Sequence, residues 1–297
     1  VMMVLWSDLY GLQQTALINE ASIAGMGLSL GLDEGLRLSI SGFTDKQPEL
    51  LAAALAGLRV DPDQQALDQA IDRFVRGLEN RKRELPFKQL GRTLSSLTRT
   101  GFYDEASVLD AVAEVTPARF NAFVERVLDA VLIRVYLFGN YDQAFAKDLT
   151  QTLQSALPEE RTGATEYIRE RVYAPVPGQT LVKNTDLPVE DLGMMLLYAA
   201  PEATVANEAT GRVLARHLRN RAFDTLRTEE QLGYAAGGLT TTLQDHPMIG
   251  FYIQTPVKGP VAMLQRFEAF AAEYALMLDE LTEDQFANLK SGVLTQL

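Results

Sequence analysis

The residues of this sequence best suited to chemistry lie in one short stretch, Arg227-Thr228-Glu229-Glu230-Gln231-Leu232-Gly233-Tyr234. A helix persisting from Arg227 to Tyr234 would set both near one face, two turns from each other. The guanidinium offers a planar fork of donors for a carbonyl or carboxylate, and the phenol offers a single neutral O–H donor. Together they suit holding a peptide backbone or a developing oxyanion, and neither is a nucleophile or a base. The competing structural account pairs Arg227 with Glu230 or Glu229 on a solvated helix end and makes Tyr234 a half-buried aromatic.

Other constellations are sparse. His217 and His246 are the only histidines, there is no cysteine, and neither HxxEH nor HExxH occurs. Those motifs set two imidazoles on one helix so that both reach one zinc beside a glutamate. His217 shares a helix with Arg212, Arg216 and Arg219, a cationic face that disfavours a metal ion, and reads as a surface histidine. His246, between Asp245 and Pro247, reads as a turn residue. No GxSxG, GxGxxG or Walker motif is present. Gly237-Gly238, flanked by strand residues, predicts a bulge or a close backbone approach. Glu229 and Glu230, adjacent on a helix, point in different directions and make a poor acid/base pair.

A chain of 297 residues with 47% hydrophobic content has room for two domains, each with its own core, to position these residues. A formal net charge of −12 argues against nucleic acid or an anionic membrane surface as the main partner. No run approaches the roughly eighteen apolar residues a membrane span needs, and residues 192–200 (LGMMLLYAA) read as a buried strand. Without cysteine there is no disulfide and no thiol catalysis. The chain opens without a basic, cleavable leader and stops in mid-helix, so it reads as a segment of a longer protein.

Apolar periodicity predicts a helix over 5–24, a hairpin over 27–42 turning at Asp33-Glu34-Gly35, and a helix from Pro48 to Gly57. A further helix opens at Asp61-Pro62, with Asp61 as N-cap. Basic residues 79–92 read as a solvated helix end, followed by helices over 89–97, 105–114 and 117–128, the last capped by Thr116. Residues 131–139 (VLIRVYLFG) read as a strand and 143–157 as a helix. The polar stretch 158–178, punctuated by Pro and Gly, reads as a linker. Beyond it come strands at 181–184 and 191–200, a helix from 204 continuing to Gln231, a hairpin over 234–242 and 248–255, and two final helices. Helix, glycine, hairpin and helix thus occur twice, Gly27 paralleling Gly233, which supports an internal duplication of mixed α/β domains.

Residues 227–235, RTEEQLGYA, resemble the C-terminal half of the pitrilysin and insulysin family of zinc metallopeptidases. The likeness extends through GFYIQ at 250–254, LTEDQF at 281–286 and GLRLSISGFT at 35–44, and so covers nearly the whole chain. The resemblance implies an α/β (α+β) fold of two similar domains, each an antiparallel-rich mixed sheet packed with helices. These would be the family's third domain at 1–157, trimmed at its start, a linker at 158–180, and the fourth domain at 181–297, truncated at its end.

It further implies that the whole protein is a zinc-dependent, periplasmic metalloendopeptidase degrading peptides and small proteins inside a closed chamber. Its zinc would sit in the missing N-terminal half, and this segment, inactive alone, would contribute Arg227 and Tyr234 to substrate binding and oxyanion stabilisation. Its partners would be peptide substrates and the N-terminal half of the same protein. The stretch AAGGLTTTLQDHPMI, 235–249, departs from the bulkier hairpin of the family and bears on substrate preference. Two other readings stand beside this one: a non-catalytic peptide-binding or partner subunit of the same family, and a peptidase processing a precursor peptide in cofactor biosynthesis.

Overall fold

The computed structural model describes residues 1–33, 35–103, 105–156, 171–173, 176–243 and 245–296. In chain order it begins with α1 (Met2–Gln13), α2 (Thr15–Ile23), β1 (Gly27–Leu32), β2 (Leu36–Ser41), α3 (Gln47–Ala56) and α4 (Gln64–Lys82). There follow α5 (Pro86–Thr98), α6 (Glu105–Ala113), α7 (Pro117–Asp129) and α8 (Gln143–Ser155). The remainder comprises β3 (Leu192–Ala199), α9 (Val205–Phe223), β4 (Ala235–Leu243), β5 (His246–Thr255), α10 (Pro260–Asp279) and α11 (Glu283–Leu294). Two compact units divide the chain: Val1–Leu78 with Tyr103–Glu170, and Glu79–Phe102 with Arg171–Leu297.

In the first unit, Leu5, Trp6, Leu9 and Tyr10 recur at helical spacing on α1 and are buried with Phe120, Val124 and Leu128 of α7. The polar tips inside this core are satisfied: Trp6 Nε1 donates to the Leu58 carbonyl at 2.8 Å, and the Tyr10 hydroxyl to the Ala54 carbonyl at 3.1 Å. The single helix expected over 5–24 is two helices, because the backbone leaves helical geometry at Gln14 (φ −93°, ψ 13°). Asp61 is not the cap of α4. That helix starts at Gln64, Asp63 accepts the Ala66 amide at 2.8 Å, and Asp61 instead accepts the Asn121 side chain. Thr116 does cap α7, accepting the Arg119 amide at 3.3 Å. β1 and β2 pair antiparallel, Gly27 opposite Ser41.

Residues 131–139 form no strand, and neither do 181–184. Their β-rich composition lacks a neighbour, since no ladder among the described residues includes them. Tyr136 and Phe138 stand exposed there.

The sheet of the second unit is antiparallel, in the order β3-β5-β4. Against one face lie α9 and α10, with Leu218, Ala222, Phe251, Ile253, Phe267 and Phe270 in a shared core. The rings of Phe251 and Phe270 meet edge to face, 5.2 Å between centroids. At Gly238 the wall between α9 and β4 is thin: an added Cβ would lie 2.7 Å from Leu218 Cγ. The pairing of β4 with β5 runs through that position unbroken, so the glycine pair marks a close approach and not a bulge.

The opposite face carries α5. A Cβ at Gly193 would fall 2.6 Å from Pro86 Cβ, and the Phe87 ring stacks on Tyr252 at 6.3 Å. Helix α5, expected within 1–157, belongs to the second unit, with Pro86 and Phe87 against its sheet. Part of the expected linker is also held: the Tyr173 amide donates to the Thr98 carbonyl at 2.7 Å, and the Thr100 amide to Arg171 at 3.0 Å. Linker positions 158–170 and 174–175 lie outside the described residues. Among the described residues no helix is long and apolar enough to cross a membrane.

Candidate functional site

Helix α9 does not continue to Gln231. It ends at Phe223 and gives way to a π-helical stretch, Asp224–Glu229, in which the Glu230 amide reaches back to the Thr225 carbonyl at 3.0 Å. The Leu232 amide then bonds to the Leu226 carbonyl at 3.0 Å, and Gln231 takes φ +53° as the chain reverses into β4. Such widened turns recur at functional sites. Arg227 and Tyr234 are therefore not two turns apart on one helix. The reversal brings them together instead, and Arg227 Nε donates to the Tyr234 carbonyl at 3.1 Å.

The Arg227 guanidinium also lies over the Phe223 ring, 4.8 Å from its centroid. Held through Nε and by the ring, its terminal nitrogens make no hydrogen bond or ion pair among the described residues. The pairing of Arg227 with Glu230 does not occur, because Glu230 is taken by Arg266 of α10. Arg266 Nε lies 3.0 and 2.9 Å from the two Glu230 oxygens, and its terminal nitrogens reach Glu273 at 3.1 and 3.0 Å. This pair, with Arg266 only 15% exposed, fixes the end of the π-turn.

Tyr234 is 49% exposed. Its hydroxyl donates to Asp191 Oδ2 at 2.9 Å, just before β3. Gln254 Nε2 donates to the same Asp191 oxygen at 2.8 Å and makes a close hydrogen bond to the Tyr234 hydroxyl oxygen. Gln254 is 1% exposed, and its Oε1 accepts the Phe87 amide at 3.4 Å. Register explains the convergence: Gln254 lies on the central strand between Gly193 and Ala235, residues too small to cover it. Gly233 is required by the same crowding, since a Cβ there would fall 2.1 Å from the Gln254 carbonyl oxygen. Desolvation, then the hydrogen bond to Asp191 and its charge, push the Tyr234 phenol above its ordinary value and keep it protonated.

The two histidines lie elsewhere. His217 is half-buried, not a surface residue, with Nδ1 3.0 Å from the Tyr274 hydroxyl; burial, then the charge of Arg221, lowers its pKa. His246 opens β5 as a strand residue, Nδ1 3.2 Å from the Ala200 carbonyl. Among the described residues no three His, Asp or Glu converge to hold a metal ion, so no chemical step is derived through one. Sequence reasoning missed Asp191, Gln254 and Phe223. Gln254 carried a usable signal, a lone amide ending the apolar strand pattern GFYIQ; Asp191 carried none.

Comparison with known proteins gives this geometry a setting. The family model for the middle or third domain of peptidase M16 matches residues 1–111, and the model described as PQQ synthase PqqF-like, C-terminal lobe domain 4, matches 213–297. Protease 3 of Escherichia coli K12 is 23% identical over 303 residues, covering 100% of this chain. A Schizosaccharomyces pombe protein bearing the name of a zinc protease is 24% identical over 282 residues, covering 92% of this chain and 29% of its own length. The chain spans 31% of the length of Protease 3. Among solved structures, pitrilysin superposes with a TM-score of 0.88 at 22% identity, over 99% of this chain and 31% of that one. A peptidase M16 inactive domain from Pseudomonas fluorescens gives a TM-score of 0.66 at 15% identity, over 99% of this chain and 73% of that one. The third-domain and fourth-domain matches fall in chain order and, with the pitrilysin-like fold, support an insulinase-family (peptidase M16) C-terminal segment.

Proposed function

We propose that this chain is the substrate-holding part of a zinc-dependent metalloendopeptidase that degrades peptides and small proteins in a closed chamber. Residues 1–157 and 181–297 are its third and fourth domains, joined by 158–180, and the zinc site lies in another part of the same protein. In support, the relatives carry protease names, one of them a zinc protease. The reading includes the bacterial periplasm as its compartment, in keeping with the bacterial source of the Protease 3 relatives.

The observation that carries the reading is the corner at 223–234. Arg227 is fixed by Nε and the Phe223 ring, with its terminal nitrogens unspent among the described residues, beside a half-exposed, protonated Tyr234. The Arg227 fork holds a carbonyl of the substrate peptide, and the Tyr234 hydroxyl donates to the oxyanion of the tetrahedral intermediate. In the protein as its source makes it, Arg227→Ala or Tyr234→Phe lowers kcat/KM for a quenched peptide about tenfold or more. Unchanged cleavage by both variants would sink the assignment.

A second reading is a non-catalytic partner subunit. The fold-level match to a peptidase M16 inactive domain over most of that chain's length favours it. Chain length and zinc content of the native protein separate the two: a longer chain with about one zinc and chelator-sensitive cleavage supports the enzyme. A zinc-free chain near this size supports the partner subunit.

A further inference from the structure

Resting on the reading of Tyr234 as a donor to the oxyanion, we infer that Asp191 and Gln254 are positioning residues: they clamp the Tyr234 hydroxyl and hold its hydrogen until substrate takes it. Three hydrogens are shared among these groups. The Gln254 amide nitrogen has two, one directed at Asp191 Oδ2 at 2.8 Å and one at the Tyr234 oxygen. The phenol has one, and with Gln254 donating to its oxygen, that hydrogen goes to the Asp191 carboxylate at 2.9 Å. Asp191, Gln254 and Tyr234 thus form a closed ring in which the only hydrogen free to change partner is that of Tyr234.

Gln254 is fixed. It is buried between Gly193 and Ala235, and its Oε1 is occupied by the Phe87 amide. Tyr234 is held at the other end, its carbonyl accepting from Arg227 Nε. When an oxyanion forms beside the hydroxyl, the O–H turns from Asp191 to it. No covalent bond forms or breaks, and the phenol keeps its proton. Asp191 Oδ2 is not stranded, because Gln254 still donates to it. That retained bond lowers the cost of releasing Tyr234, which would otherwise leave a carboxylate short of a donor. Asp191 and Gln254 need not touch substrate; they act through Tyr234.

The test measures kcat and KM for peptide cleavage in the native-length protein carrying Gln254→Met or Asp191→Asn, each alone and combined with Tyr234→Phe. Alone, each is expected to lower kcat about threefold to tenfold with KM changed less than about twofold. On the Tyr234→Phe background the same substitutions cost less than about twofold, since the group they position is gone. Equal losses on both backgrounds, or losses that fall on KM, overturn the positioning role while leaving Tyr234 as a substrate contact. A silent Tyr234→Phe overturns the donor reading itself, and the positioning role with it. Should Gln254→Met fail to fold, Asp191→Asn, on the sheet's rim, decides alone.

Discussion

In the first unit the chain leaves α2 through Gly25 (φ +73°), and the Met26 amide returns to the Ala21 carbonyl at 2.8 Å before β1 begins at Gly27. In the second it leaves α9 through Gln231 (φ +53°), and the amide that returns is Leu232, to Leu226 at 3.0 Å, before β4 begins at Ala235. Both corners use one left-handed residue to turn a helix into a hairpin. The first spans five residues from acceptor to donor, the bond of a glycine-capped helix end. The second spans six, the extra residue lying in the π-turn. The plain corner presents Ala24 and Gly25 and buries Met26; the widened one presents Arg227 and Tyr234. The difference shows that Arg227 and Tyr234 are brought together by how the helix ends.

The two corners differ in what a substitution costs at three places. The largest effect is at the paralleled glycines. Gly233→Ala drives a Cβ into the Gln254 carbonyl oxygen, main chain that cannot yield, and costs about 2–3 kcal/mol. Gly27→Ala meets only the Ser41 hydroxyl at 2.6 Å, a side chain that can rotate, and costs under about 1 kcal/mol. Urea midpoints of the two variants compare them, and equal shifts would dissolve the distinction.

Next, the widened corner is tied down by Arg266, whereas the ion pair of the first unit's hairpin, Arg37 with Asp33, is exposed. Arg266→Met leaves Glu230 partly buried without its partner and costs about 1–2 kcal/mol, a value discounted for the solvent that reaches the pair. Arg37→Met costs about 0–0.5 kcal/mol. Calorimetric melting reads both, and a comparable drop for Arg37→Met would show that burial is not what separates them.

The smallest effect concerns the left-handed residues. Gln231→Gly relieves a side chain at positive φ and gains about 0.5 kcal/mol, the relief partly offset by glycine's freedom in the unfolded chain. Gly25→Ala, with ordinary contact to Phe43 at 3.5 Å and so only backbone strain to bear, loses about 1 kcal/mol. Amide exchange at Leu232 and Met26, the donors of the two closing bonds, reports each change locally.

What could be read from sequence follows from the range of the interaction. Caps are local, and Thr116-Pro117 announced its helix; the capping box of Thr282 with Gln285, equally local, is present in full. Both hairpins were legible for the same reason. The π-turn was not, because a run from Thr204 to Gln231 with helical composition does not reveal which amide reaches back five residues instead of four. Nor was the segment 131–139, whose β-branched side chains favour a strand but whose ladder depends on a neighbour. Arg227 and Tyr234 were found within one motif. Asp191 lies 43 residues from Tyr234 and Gln254 lies 20 away, contacts that only sheet register creates.

The π-turn has a consequence for how such a site can be gained or lost. A residue inserted into a helix need not unfold it; the helix absorbs the insertion as one wide turn and the chain downstream is rotated. Removing one residue from 224–229 would restore the shorter closing bond of the first corner and swing Arg227 by about 100° relative to the hairpin. The guanidinium would then leave the Tyr234 carbonyl while the strands beyond it kept their pairing. One in-frame codon at a helix end can therefore make or unmake a pairing of this kind.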